Sequence, residues 1–524
     1  MRRLILRENT YIDSVNLMML SDRLIKKKNV SDVAILTGTP ANKKRLREAG
    51  FYSDKFESAK PNDLCIGLEV DNESGLEEAK QEIEVFLSGQ FKAREKQGES
   101  RQEFRSLQTA LLNVPDANLV SISVPGEYAS SEAHEALDNN LHVFLFSDNV
   151  TIEEEINLKR DASEKGLLMM GPDCGTALIN GNPFGFCNDL NSGPVGLVAA
   201  SGTGAQAIST QLNNLGIGVS HIIGTGGRDL NSEVGGITSK VGLQVLRNDP
   251  STEIIIFVSK PPSPEVEDVL INEIEHFSKP VIISFVGSSK KYEGFNNIYG
   301  SENLSHAALI ATSLMKDDKK ELPAPHSYKE VLSSTQRELL KIRKSLNPVQ
   351  KHIRGLYSGG TLADEAAYIL SKHFTEVHAG TGFDLVAPIN DWQESYGHTI
   401  IDLGDDRFTK NRPHPMIDSE IRANRIIKES QDESVAVILM DIVLGYNAAE
   451  DPAGALLGAI KEGRARAAKE GRSLNFIVHL CGTRKDPQGW NDQRKKLQDA
   501  GCLLFTSNVE AALAAAIIVK DEIG

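Results

Sequence analysis

The chain has 524 residues, 40% of them hydrophobic and 25% charged, with 43 glycines. That length exceeds one ordinary core and, at about 150 residues per domain, implies three or four domains, while the composition excludes an intrinsically disordered chain. A net charge of −15 argues against a nucleic-acid partner, which needs a basic field, and obliges any anionic ligand to find a local basic patch.

Residues 1–90 alternate strand and helix signals. Arg3–Leu6, Val33–Thr37 and Asp63–Val70 read as strands. Asp13–Lys27, Asn42–Ala49 and Leu76–Leu87 read as helices, the first with Val15, Leu17, Met18, Leu20 and Leu24 at helical spacing. This predicts a small α/β sandwich of ferredoxin-like type. Residues 90–112 are charged and helical in pattern, a connector that closes a first domain at residue 112. Residues 113–192 hold a Rossmann-type segment. Its strands are Leu119–Val124, His142–Phe146 and Leu167–Met170, its helices Ser131–Asn139 and Ile152–Lys165, and it ends in the loop Gly171-Pro172-Asp173-Cys174-Gly175-Thr176.

The next two segments repeat each other. One, over 193–320, opens Val195-Gly196-Leu197-Val198-Ala199-Ala200-Ser201-Gly202-Thr203. The other, over 351–524, opens Ile353-Arg354-Gly355-Leu356-Tyr357-Ser358-Gly359-Gly360-Thr361. Each then reaches a loop bearing glycine and aspartate (224–229 and 402–407) and two further apolar strands: Ile254–Val258 and Val281–Val286, against Val435–Met440 and Phe476–Leu480. Apolar strands alternating with helices predict parallel sheets covered on both faces. A linker over 321–350, with Pro323 and Pro325, separates the two domains.

A strand that feeds a small-residue loop into a helix suits an anion: first-turn N–H groups point at the ligand and the helix dipole favours negative charge. Ser201, Gly202 and Thr203, and Ser358, Gly359, Gly360 and Thr361, form two such loops in matching positions, able to aim at one shared anion. The plainer alternative is a pair of N-caps. Gly171, Asp173, Gly175 and Thr176 stand at a strand's carboxyl end, where ligands collect in open α/β sheets; a tight turn is the alternative. Gly226, Gly227, Arg228 and Asp229 offer amides and a guanidinium for carboxylate or phosphate, and Lys260 a cation at a strand end, against ordinary surface turns. In Arg412-Pro413-His414-Pro415 two prolines stiffen a loop, presenting Arg412 and His414 as an anion clamp or general acid/base. Asp402, Asp405 and Asp406 are of the type that holds Mg²⁺, although a solvated acidic turn is the more ordinary reading.

The sequence lacks a GxxxxGK[ST] loop, HExxH, GxSxG and a dinucleotide fingerprint. Cys65, Cys174, Cys187, Cys481 and Cys502 are scattered without a CxxC pair, which predicts reduced thiols of a cytoplasmic protein. The apolar run Leu4–Leu6 is too short for a signal peptide, and Ala511–Val519 falls well short of the ~20 residues that span a membrane.

These motifs, joined by Val124-Pro125-Gly126-Glu127-Tyr128, Thr37-Gly38-Thr39-Pro40-Ala41-Asn42-Lys43, Ser259-Lys260-Pro261-Pro262 and Ile401-Asp402-Leu403-Gly404-Asp405-Asp406, resemble the FdrA family end to end. FdrA proteins are similar to succinyl-CoA synthetase. Residues 117–315 look like its α subunit and 351–520 like the carboxy-terminal domain of its β subunit. The resemblance implies an α/β, multidomain fold: a small N-terminal α/β domain, a Rossmann-type segment and two flavodoxin-like parallel-sheet domains. It also implies that Ser201–Thr203 and Ser358–Thr361 hold a phosphate.

Three departures weigh against a synthetase reaction. The phosphohistidine loop of the synthetases is replaced by Gly287-Ser288-Ser289-Lys290-Lys291-Tyr292-Glu293. The glycine-rich CoA motif and the ATP-grasp domain are missing, so CoA and nucleotide are not expected. The resemblance implies instead a subunit of a cytoplasmic oxamate carbamoyltransferase of allantoin and purine breakdown, converting oxalurate and phosphate to oxamate and carbamoyl phosphate. The expected partners are those small molecules and further carbamoyltransferase subunits, with homo-oligomers also open, and neither nucleic acid nor membrane. His414, Arg412 and Arg228 are then the expected catalytic residues. An acyl-CoA ligase and a non-catalytic scaffold are the alternatives.

Overall fold

A computed structural model describes the protein at residues 1–524 except 9, 11, 13, 26, 52, 61–62, 97–103, 105, 289, 291, 293, 317–321, 326–327, 410–411 and 521–524. Parts of the expected connector, of the 287–293 loop and of the 321–350 linker therefore lie outside the described residues. The chain forms two compact units, residues 1–110 with 410–413, and residues 111–409 with 414–524.

The first unit contains β1 (Arg2–Arg7), α1 (Ser14–Ile25), β2 (Val30–Thr37), α2 (Pro40–Glu48), α3 (Asp54–Glu57), β3 (Leu64–Val70) and α4 (Glu73–Lys96). The sheet is antiparallel in the order β1-β3-β2. Strand alternation divides its two faces. Leu64, Ile66, Leu68 and Val70 pack with Leu17, Leu20 and Leu24 of α1 and Leu76, Ile83 and Phe86 of α4. Cys65 faces the other way, onto Leu46, Phe51 and Phe56. Gly67 is needed there because a Cβ would run into the Phe51 ring.

After α5 (Leu107–Asn113), the second unit opens with the Rossmann-type segment: β4 (Leu119–Ile122), α6 (Gly126–Asp138), β5 (His142–Leu145), α7 (Ile152–Glu164) and β6 (Met169–Met170), a parallel sheet in the order β4-β5-β6. A hairpin, β7 (Thr176–Ile179) and β8 (Asn182–Gly185), follows. The first repeat is β9 (Ser192–Ala199), α8 (Gly202–Asn214), β10 (Val219–Gly224), α9 (Ile237–Asn248), β11 (Ile254–Ser259), α10 (Pro264–Ile274), β12 (Val281–Phe285), β13 (Ile298–Gly300) and α11 (Leu304–Met315). The helix α12 (Tyr328–Ser345) leads to the second: β14 (His352–Tyr357), α13 (Gly360–Ser371), β15 (Val377–Ala379), β16 (Ala387–Pro388), β17 (His398–Asp402), α14 (Asp406–Thr409), α15 (Glu420–Glu429), β18 (Val435–Val443), α16 (Pro452–Lys469), β19 (Asn475–Cys481), α17 (Trp490–Asp499), β20 (Leu503–Phe505) and α18 (Asn508–Val519).

The duplication is topological. The parallel strands run β10-β9-β11-β12-β13 in one repeat and β17-β14-β18-β19-β20 in the other, both the flavodoxin-like order 2-1-3-4-5. Each repeat extends its second strand differently, by the antiparallel hairpin β7-β8 or by parallel β15 and β16. These additions are short and escape the sequence pattern. The two repeats share one core, in which α8 and α11 meet α13 and α18. Small residues let α18 be buried on all sides there, which explains the apolar run Ala511–Val519. Among the described residues no helix is long and apolar enough to cross a membrane.

At the start of β17, buried His398 accepts a hydrogen bond from the Ile353 amide (3.2 Å) through Nδ1. Burial, and then the neighbouring His352 and Arg354, pushes its pKa down to about 3. The unfolded ring titrates near 6.5, so between pH 3 and 6.5 the unfolded state binds more protons and stability falls as pH falls. His398→Asn, which retains an acceptor for Ile353, is expected to cost stability at pH 7 but to flatten the decline between pH 6.5 and 4. Urea unfolding at half-unit pH steps measures both effects.

Candidate functional site

The strands β9 and β14 deliver their loops to facing helix ends. Ser201 caps α8, its hydroxyl accepting from the Gly204 amide (3.0 Å), while Gly359 caps α13 with no side-chain hydrogen bond. The two ends touch: Ser201 Oγ lies 2.6 Å from Thr361 Oγ1. Glycine at 359 permits this approach, since a Cβ there would sit 2.7 Å from Thr203 Cγ2. The first-turn N–H groups of an α-helix have no intrahelical acceptor. Two positive helix ends, two hydroxyls and half-buried Gly202, Thr203 and Gly360 therefore converge on one place.

The second loop is not wholly available to a ligand. Asp441 of β18, fully buried, accepts from the Ser358 amide (2.9 Å), the Ser358 hydroxyl (3.0 Å) and the Gly359 amide (2.9 Å), and pairs with buried Arg422 (3.0 Å). The expected anion contacts of Ser358 and Gly359 are thus taken by an internal carboxylate. The first repeat differs. Leu197 pairs with Ile256 and Gly355 with Leu439, each four residues before its helix cap, so Val258 stands where the second repeat has Asp441. An anion is left to the α8 end and to Gly360 and Thr361.

Around this point lie three further groups. Asp402, at the end of β17, accepts from the Gly404 amide (2.8 Å). Its Oδ2 would be 2.5 Å from a Cβ on Gly360. Burial pushes Asp402 up to about 7, against the opposing Gly404 amide and Lys260. His414 reaches the same turn, its Nε2 2.5 Å from where a Gly404 Cβ would lie, and its ring stacks obliquely on Phe186. Burial pushes His414 down to about 4, and its Nδ1 accepts from the Met416 amide (3.2 Å). It is a neutral ring at pH 7 with Nε2–H as donor. That suits polarising an oxyanion better than delivering a proton. Lys260, more than half exposed, pairs with Asp364 of α13 (2.7 Å) and lines a recess with Asp402, Asp405 and Trp392.

The 171–176 loop approaches from the other side: Thr176 Oγ1 would be 3.4 Å from a Cβ on Gly202, and Gly175 faces Phe186. Asp173 adopts φ 55°, a left-handed conformation that Asp tolerates. Its side chain is exposed, with the carboxylates of Asp406 and Asp148 and the guanidinium of Arg228 as its charged neighbours. Gly227 lies beside Asp173. Gly226 (φ 84°) needs glycine, because the loop carbonyl of Pro172 fills the space of a side chain. Arg228 bridges Glu155 (2.8 Å) and the Val150 carbonyl (2.8 Å). Asp229 faces inward: it is fully buried, pairs with Lys159 (2.7 Å) and accepts from the Thr238 and Ser239 amides. Arg412 is exposed and groups with the first unit. Among the described residues no cluster of three or more His, Cys, Asp or Glu side chains has metal-binding geometry, Asp402, Asp405 and Asp406 included.

Sequence reasoning missed Asp441, Arg422 and Lys159. The signal for Asp441 was a lone acid inside the apolar strand VAVILMDIV; a carboxylate is buried at such a place only when paired.

Together the two flavodoxin-type repeats and their opposed helix ends define a succinyl-CoA synthetase-like protein of the CoA-ligase fold. A CoA-ligase family model matches residues 356–518, and a model described as AllF, heavy metal-associated domain, matches residues 1–104. Subunit alpha 2 of an ADP-forming succinate–CoA ligase of Archaeoglobus fulgidus is 28% identical over 171 residues, 32% of this chain and 58% of that subunit. An ATP citrate lyase structure from Methanothrix soehngenii, in complex with citrate and coenzyme A, aligns over 44% of this chain and 46% of that one at 14% identity and a TM-score of 0.33. An uncharacterised protein, YahF of Escherichia coli, is 39% identical over 513 residues, 98% of either chain. The chain belongs to the FdrA family.

Proposed function

We propose that this chain is a subunit of an oxamate carbamoyltransferase, carrying the site at which oxalurate and phosphate become oxamate and carbamoyl phosphate. The observation that supports this most is the contact of Ser201 and Thr361 hydroxyls between two helix N-termini, a place for a tetrahedral dianion. Phosphate held there attacks the ureido carbonyl carbon. The first-turn amides hold the phosphoryl oxygens, and the Nε2–H of neutral His414 donates to the oxyanion that develops. Lys260 is the cation best placed for the oxalurate carboxylate. The carboxyl of Asp402, raised to about 7, repels an incoming anion less at neutral pH than an ordinary aspartate would. The reaction uses neither CoA nor nucleotide, and partner subunits complete the enzyme.

The test is turnover of carbamoyl phosphate with oxamate by the chain assembled with its partner subunits, following oxalurate and phosphate together. A Ser201→Ala/Thr361→Ala double variant is expected to lose on the order of 10²–10³-fold in kcat, as loss of preorganised donors does, with the fold intact by circular dichroism. A second reading, an acyl-CoA ligase, has the succinate–CoA ligase relatives in its favour. CoA- and nucleotide-dependent phosphate chemistry in the same assembly, with no oxalurate formed, would establish it instead.

A further inference from the structure

Phosphorolysis of a ureido bond leaves a proton to be moved. An oxygen lone pair of hydrogen phosphate forms the new C–O bond at the ureido carbon. The C–N bond breaks and its electron pair stays on the oxamate nitrogen. Hydrogen phosphate loses one proton and the departing nitrogen gains one, so charge and atoms balance if a single group carries the proton between them. His414, with Nδ1 occupied by the Met416 amide, is poorly suited to take it up.

We infer that Asp402 is that proton carrier, a catalytic carboxyl at the mouth of α13; the inference rests on the carbamoyl-transfer reading. One oxygen, Oδ1, is fixed by the Gly404 amide (2.8 Å). The other, Oδ2, stands over Gly360, the first residue of α13, so close that a Cβ there would lie 2.5 Å away. An anion seated on the α13 end is therefore next to Oδ2. The carboxyl also faces the recess lined by Lys260, Asp364, Asp405 and Trp392, where the rest of a substrate bound through Lys260 would lie. The charged and titratable groups facing Asp402 are Lys260 at the end of β11, Asp364 on α13, Asp405 in its own turn and His414 beside Gly404. Burial first, and then Asp364 and Asp405, favour the protonated form, the Gly404 amide and Lys260 oppose it, and the balance leaves the carboxyl at about 7. A carboxyl so poised can accept a proton from phosphate and return it to nitrogen at neutral pH. Glycine at 360 is thus explained twice, by the helix entry and by the room Asp402 needs.

Asp402→Asn keeps an acceptor for the Gly404 amide and removes only the proton. In the full assembly, with carbamoyl phosphate and oxamate as substrates, we expect kcat to fall about 10²–10⁴-fold. The KM for carbamoyl phosphate should stay within about three-fold, and the pH–rate limb near 7 should vanish. A variant with wild-type kcat and an unchanged pH profile overturns the role of Asp402 while leaving carbamoyl transfer in place. A raised KM at unchanged kcat also overturns it, reducing Asp402 to a binding group. Absence of oxalurate formation by the wild-type assembly removes the carbamoyl-transfer reading and this inference with it.

Discussion

Lys159→Met is expected to destabilise the protein by about 3–5 kcal/mol, the cost of breaking a buried ion pair by removing one partner. Lys159 is 1% exposed. Its ammonium lies 2.8 Å from Glu155, 2.7 Å from Asp229 and 2.9 Å from the Thr225 carbonyl. Without it, two carboxylates remain in a dry interior. Arg228 continues to serve Glu155, and the Thr238 and Ser239 amides continue to serve Asp229, so the protein keeps enough of the site to fold and be measured. The clasp ties α7 of the Rossmann-type segment to the 225–229 loop, which in turn lies against Pro172 and Asp173. Activity should therefore fall with stability. Adding Asp229→Asn and Glu155→Gln to Lys159→Met neutralises the stranded charges and should recover part of the loss. Equilibrium urea unfolding of the single and triple variants measures the difference; a single variant within about 1 kcal/mol of wild type would mean that the clasp is not a net stabiliser.

The fold was legible where apolar strands are long. Val195–Ala199 and Ile353–Tyr357, each followed by a small-residue loop, announce the two repeats, and their ladders place them at the centre of matching sheets. Periodicity could not reach β15 and β16, three and two residues long, since so short a run has no period to show. The site was half legible. The glycine loops were visible as phosphate-type turns, but only the folded chain brings Ser201 within 2.6 Å of a hydroxyl 160 residues away. The roles of Asp229 and Ser358 depended on partners remote in sequence, Lys159 and Asp441, and no local pattern distinguishes an aspartate awaiting a ligand from one already paired. Two prolines around His414 marked a constrained ring, but its protonation state follows from burial that the loop sequence does not encode.

Asp441→Ala should produce a loss of similar size, about 3–5 kcal/mol, by a different route. The carboxylate acts as an anion built into the loop. It satisfies two amides and a hydroxyl at Ser358 and Gly359 and neutralises Arg422, which is 2% exposed and also donates to the Leu356 carbonyl. Removing it leaves a buried guanidinium and two unpaired N–H groups around a hole of carboxylate size. Inorganic phosphate is of the right charge to occupy part of that hole. A ligand bound only by the folded state stabilises it by mass action, so millimolar phosphate should raise the denaturation midpoint of Asp441→Ala more than that of wild type, whose loop is already filled. Arg422→Met in the same background should remove both the stranded charge and the extra phosphate response. If Asp441→Ala instead matches wild type in midpoint with and without phosphate, the carboxylate does not hold the loop. The division of labour would then revert to two equivalent helix ends, with Ser358 and Gly359 again free to meet a ligand.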